Sequence, residues 1–187
     1  MTDRAQYAPG PASGAQVSKD GDKWTLILVR ELRHPPTKVW DAITDPAHLR
    51  EWAPFDADGS LGTVGTVKLT TVGAPTPHVS ETRVMRADAP KLLEYNWGAQ
   101  NLRWELEAFG DGTRLTLWHN IDRAYISMGA AGWHICFDVL DRLLGGAPIG
   151  RIVAGEAMKF GWPRLNSEYA RQFGIDVPGR PPNAAQS

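Results

Sequence analysis

Residues 35–52 read PPTKVWDAITDPAHLREW, and this stretch decides how the rest of the chain divides. Pro35-Pro36 opens a helix, because proline fixes φ near its helical value and its missing N–H is not needed in a first turn. Val39, Trp40 and Ile43 follow at a 3–4 spacing that gives the helix one apolar side. Asp45-Pro46 starts a second short helix, with Asp45 as its cap and Pro46 at its first position. Leu49 and Trp52 supply the buried side of that helix. Just upstream, Trp24, Leu26, Leu28 and Leu32 alternate with polar residues as a strand does, while Ile27 and Val29 place apolar groups on its second face. The fold therefore opens with a strand and a pair of short helices.

Downstream, strand-like segments occupy 65–72, 78–87, 91–97, 101–109 and 113–121. Between them lie Gly73-Ala74-Pro75, Asp88-Ala89-Pro90, Gly98-Ala99 and Gly110-Asp111-Gly112. Asp111-Gly112 is the strongest hairpin signal, since tight hairpins need positive φ angles. Connections this short force antiparallel neighbours, so the strands form a meander. After Ile121 the period changes. Trp133, Phe137, Leu140 and Leu144, widened by Cys136 and Leu143, mark an amphipathic helix of roughly sixteen residues that Gly145-Gly146 ends. Gly161-Trp162-Pro163 begins a last helix, in which Leu165, Tyr169 and Phe173 repeat every fourth residue before Gly174. Strand, helix pair, meander and long helix make an α+β fold.

The chain has 187 residues, which suits one domain. Residues 1–20 and 177–187 are rich in Ala, Gly, Pro and Ser without periodicity. They read as disordered tails around a single domain at 21–176. Twenty basic and 21 acidic residues leave a net charge of -1, which argues against a nucleic-acid partner. Cys136 is the only cysteine, so no internal disulfide, cysteine-cage zinc site or iron–sulfur centre can form. No apolar stretch approaches the ~18 residues of a membrane span. Residues 1–20 lack an apolar secretion core, which places the protein in the cytoplasm.

The stretch 35–52, with its proline opening, Val-Trp pair, Asp-Pro cap and final Trp in that order, resembles the signature of the START-related helix-grip (SRPBCC) superfamily. Gly132-Trp133 at the start of a helix, followed by Phe137, Leu140 and Leu144, looks like the branch named for an activator of a heat-shock chaperone ATPase. The resemblance covers about residues 24–173. It implies a helix-grip fold: a curved antiparallel sheet of about seven strands wrapped around a long C-terminal helix, with two short helices after strand 1 and an apolar cavity between the layers. Members bind lipids, sterols, hormones or polyketides, and some are enzymes. The chain departs from the family in its Gly/Pro-rich leader and in segment 146–173, which either lids the cavity or packs outside it.

Pleating puts alternate residues on one face, which gives the inward side strand by strand. Leu115, Leu117 and Ile121 carry His119 with them; Leu102 and Leu106 carry Trp104; Leu93 carries Tyr95 and Trp97. On 78–87 the apolar Val79 and Met85 carry Glu81 and Arg83. Trp52 and Phe55, where the helix pair meets the meander, stand by family analogy at one end of the cavity, and Trp133 and Phe137 face it from the helix. These ten residues are the candidate ligand-binding set. The competing reading is a filled core in which His119 bonds a neighbour, Glu81 pairs with Arg83, and Trp52 and Phe55 are a plug.

A Glu81–His119 acid–base dyad is disfavoured, because three strand spacings of ~4.8 Å separate the two. There is no G-x-S-x-G elbow, and Cys136 belongs to the apolar stripe as core. No phosphate-binding loop precedes a helix. His134 and Asp138, four apart, read as a solvated helical ion pair rather than as metal ligands. No metal, cofactor or catalytic residue is expected. Three functions compete: binding of a small hydrophobic or amphipathic molecule, a cyclase-, isomerase- or hydrolase-type enzyme using the same cavity, and a co-chaperone-like protein-binding module. Pairing into a homodimer stays open.

Overall fold

In the computed structural model, which describes residues 3–175, the leader is built into the fold. A 3₁₀ turn at Asp3–Gln6 leads to strand β1 (Ala15–Asp20), which pairs with β2 (Lys23–Leu32) through a two-residue turn. Helices α1 (Pro36–Thr44) and α2 (Pro46–Trp52) follow as the sequence expects, with Pro36 and Pro46 in the first turns. The Asp45 carboxylate caps α2 by accepting from the Ala47 N–H at 2.8 Å. Then come β3 (Phe55–Ala57), β4 (Gly65–Thr71), β5 (His78–Asp88), β6 (Leu92–Trp97), β7 (Gln100–Phe109) and β8 (Gly112–Asn120). The chain continues through α3 (Ile126–Leu144), a 3₁₀ segment at Ala154–Phe160 and α4 (Trp162–Phe173).

The sheet has eight antiparallel strands in the order β1-β2-β8-β7-β6-β5-β4-β3. The resemblance implies about seven strands; the six read from the residues become eight because β1 and the three-residue β3 extend the two edges. Register lines up inward rows. One runs Leu28, Leu117, Trp104, Leu93 across β2, β8, β7 and β6. The next runs Leu26, His119, Leu102, Tyr95, Val84, so that His119 is its single polar member. Both rows are buried, and α3 packs on this face through Trp133, Phe137 and Leu140.

Three sequence expectations change here. The leader is not a tail: Tyr7 and Ala12 are buried, and Arg4 Nη1 donates to the carbonyls of Ile149, Gly150 and Arg151 at 3.0–3.1 Å. Its composition cannot build a core of its own, but the rest of the fold supplies partners for its backbone and for Tyr7. The tail expected at 177–187 lies outside the described residues. Second, α3 begins at Ile126, so Gly132 lies inside the helix rather than at its opening. Third, the face bearing His134 and Asp138 is covered rather than solvated. The Tyr169 hydroxyl of α4 lies 2.6 Å from His134 Nδ1, and Asp138 accepts from Tyr7 and Arg30, each at 2.5 Å.

Candidate functional site

A cavity of about 300 Å³ lies beside the N-terminal half of α3. Its first wall is the end of the meander, contributing Trp97, Gln100, His119 and Ile121. Its second is α3, through Met128, Gly129, Gly132, Trp133 and Cys136. The third comes from the segment after α3, with Ile152, Val153, Ala154, Ala157 and Trp162. Tyr125, 52% exposed, stands at the rim, and Pro54 completes the lining. Among the described residues no charged side chain lines this space. Segment 146–173 thus divides its roles: its first part walls the cavity, and α4 packs against α3 and the leader.

The space exists because α3 carries glycine where it passes the cavity. A Cβ added at Gly132 would meet no atom within 4 Å. At Gly129 it would approach Ile121 Cδ1 to 3.1 Å, so helix and sheet close together there. Both glycines line the void, and its open side lies at Gly132.

One hydrogen-bonded relay crosses from sheet to helix. Trp133 Nε1 donates to His119 Nδ1 at 3.0 Å, and His119 Nε2 lies 2.6 Å from Gln100 Oε1. An indole N–H can only donate, so Nδ1 carries the lone pair and Nε2 the proton. Burial pushes the imidazole down to about 4 from its ordinary 6.5, and it is neutral at pH 7. Neither ring nitrogen is left to take a proton from a bound molecule. Cys136, expected as core, is buried at the cavity wall, and burial pushes its thiol up to about 12. It stays protonated and inert.

Of the ten candidate residues, the structure brings Trp97, His119 and Trp133 to the cavity. Trp52, Phe55, Tyr95, Trp104 and Phe137 lie behind it as packed core, each at most 2% exposed. Trp52 donates to the Ala42 carbonyl at 2.9 Å and meets Trp104 edge to face; Trp104 donates to the Tyr95 hydroxyl at 3.2 Å. Phe55 packs on Tyr95 and Trp97 as a plug. Glu81 and Arg83 are corrected outright: both are exposed on the outer face. The pairing of Val84 with Tyr95 places Val84, Thr82 and Ser80 inward, and the register shifts between Val84 and Arg86. Val79 and Met85, 56% and 40% exposed, are surface apolar residues that set the wrong frame. Sequence reading missed Gln100, one residue before its expected strand, and for the third wall it left open whether segment 146–173 covers the cavity or packs outside it. The legible signal was Gly129 and Gly132, three apart on one helical face, leaving that face without bulk.

A second depression, about 600 Å³, lies at the β7–β8 turn between Glu31, Arg33 and Phe109. Its walls are turn backbone, the buried Leu32 and exposed side chains, and among the described residues no buried polar side chain lines it. Among the described residues no group of three or more His, Cys, Asp or Glu side chains could hold a metal, and no helix is long and apolar enough to cross a membrane.

The family model described as activator of Hsp90 ATPase homolog 1-like protein matches residues 33–145, more than half of the chain. No curated protein matches by sequence. Among solved structures, a conserved protein of unknown function from Enterococcus faecalis aligns with a TM-score of 0.66 at 14% identity, covering 84% of this chain and 89% of its own. CalU16 from Micromonospora echinospora aligns at 0.58 and 21%, covering 89% and 96%. An AHSA1-like protein from Aeromonas hydrophila aligns at 0.52 and 16%, covering 65% and 93%. At these identities the likeness is one of fold.

Proposed function

The chain belongs to the family of activator of Hsp90 ATPase homolog 1-like proteins, and from that premise we propose that it binds a small, uncharged, mainly apolar molecule in the cavity beside α3. The observation that carries this reading is the lining itself: indole, aliphatic and glycine surfaces with a single polar relay and no charge. Ligand sites combine apolar walls with a few fixed polar groups in this way. Trp97, His119 and Trp133 are the candidate contacts that this reading keeps, joined by Gln100 and Trp162. The enzyme alternative needs a group free to move a proton, and His119 has both ring nitrogens engaged.

The test is a thermal-shift screen of neutral apolar compounds, preceded by mass spectrometry of the gently purified protein for a co-purifying molecule. A true ligand at a hundredfold excess over its dissociation constant raises stability by about 2.7 kcal/mol. Gly132→Leu fills the void and abolishes the shift. A purified protein without a passenger, together with no compound class that raises the melting temperature, overturns the reading.

A further inference from the structure

The relay that ties up His119 does something else to Gln100. A carboxamide presents an oxygen and an NH2 group, and its neighbours decide which faces where. Here the order is forced from the helix side. Trp133 Nε1 donates, so His119 Nδ1 accepts; His119 Nε2–H must then donate, so its partner at 2.6 Å is the Gln100 oxygen. The Gln100 amide nitrogen is therefore turned away from the histidine. Among the described residues it has no protein partner, and Gln100 lines the cavity.

Resting on the cavity-binding reading above, we propose that Gln100 is the recognition group of the site, and that its two fixed N–H donors select ligands carrying a neutral hydrogen-bond acceptor, of the ketone, ester or amide carbonyl class. His119 is its positioning residue, with both ring nitrogens already engaged. An acceptor oxygen satisfies the amide, whereas a hydrocarbon of equal shape covers it and leaves buried donors unpaired. A ligand carboxylate would meet donors but no countercharge in this lining, so desolvation disfavours it. A ligand ammonium brings donors against donors.

The experiment uses two probes of one shape, 2-acetylnaphthalene and 2-isopropenylnaphthalene, in which a CH2 replaces the carbonyl oxygen. Calorimetric dissociation constants are measured for the wild type and for Gln100→Leu. The ketone-to-alkene affinity ratio is expected to fall about tenfold in the variant. An unchanged ratio with both probes bound overturns the role of Gln100 and leaves the cavity reading standing. Binding of neither probe to the wild type overturns the role of Gln100, and the cavity reading falls with it only when the thermal-shift screen is also empty. Because Gln100→Leu removes the acceptor of a buried imidazole, a second measurement needs no variant: ¹⁵N–¹H spectra of the wild-type histidine rings. A His119 ring protonated on Nε2 is expected, and one protonated on Nδ1 would reverse the amide and overturn the assignment.

Discussion

His119 occupies an inward row otherwise made of Leu26, Leu102, Tyr95 and Val84, and the cost of charging it there is read directly in stability against pH. Its folded pKa of about 4 lies below the ordinary 6.5, so the unfolded chain takes up the proton first. The stability this residue contributes is fully present above pH 6.5 and is lost as pH falls toward 4, by up to about 3 kcal/mol. Burial also lowers His134, which adds loss in the same direction. Urea unfolding at steps between pH 7.5 and 4.5 should show this slope, flattened by close to one proton in His119→Phe. The inward position of His119 was legible because Leu115, Leu117 and Ile121 set the frame of its strand. That of Glu81 was not, since Val79 and Met85 are apolar residues at the surface, and alternation alone cannot tell an exposed apolar residue from a buried one.

Elements carry their own lesson. The meander, the helix pair and α4 could be read from the chain because turn glycines, prolines and the Asp45 cap act locally. The start of α3 could not: residues 126–132 hold two glycines, which weaken a helix by propensity, and packing holds them helical. Gly132→Ala adds a Cβ to open space and should raise stability by about 0.5–1 kcal/mol in thermal or urea unfolding. The leader was illegible for the opposite reason. Its partners are distant: Tyr7 reaches Asp138, and the backbone at Ala12 and Ser13 meets Gln172 and Tyr169. Tyr7→Phe removes a 2.5 Å donor to a half-buried carboxylate and should cost about 1–2 kcal/mol. Arg30 keeps Asp138 paired in that variant, so folding survives.

At the scale of the whole molecule, four of the tryptophans form one connected cluster. Trp52, Trp104, Trp133 and Trp97 touch in sequence at 5.5–6.5 Å between ring centroids, and Trp97, Trp133 and Trp162 reach the cavity. A molecule entering the cavity should therefore shift tryptophan emission, and Trp162→Phe should reduce the amplitude of that shift without removing it. Composition announced the eight tryptophans but not this division between filler and lining. Where the sheet is closed by helix it is packed solid, and only where α3 turns to glycine is there room.

The third wall of that room is attached differently from the other two. Besides the burial of Ile152, Ala157 and Trp162, it is tied by arginines: Arg4 on the carbonyls of Ile149, Gly150 and Arg151, and Arg151 on Asp56 and the Leu49 carbonyl. Gly73 lets it seat, since a Cβ there would stand 2.6 Å from Ala154 Cβ; Gly73→Ala should accordingly hasten release of a bound probe in stopped-flow fluorescence. None of these ties belongs to the sheet ladder or to the α3 core. Substitution at Arg4 or Arg151 is therefore expected to shorten the residence time of a bound probe more than it lowers the melting temperature.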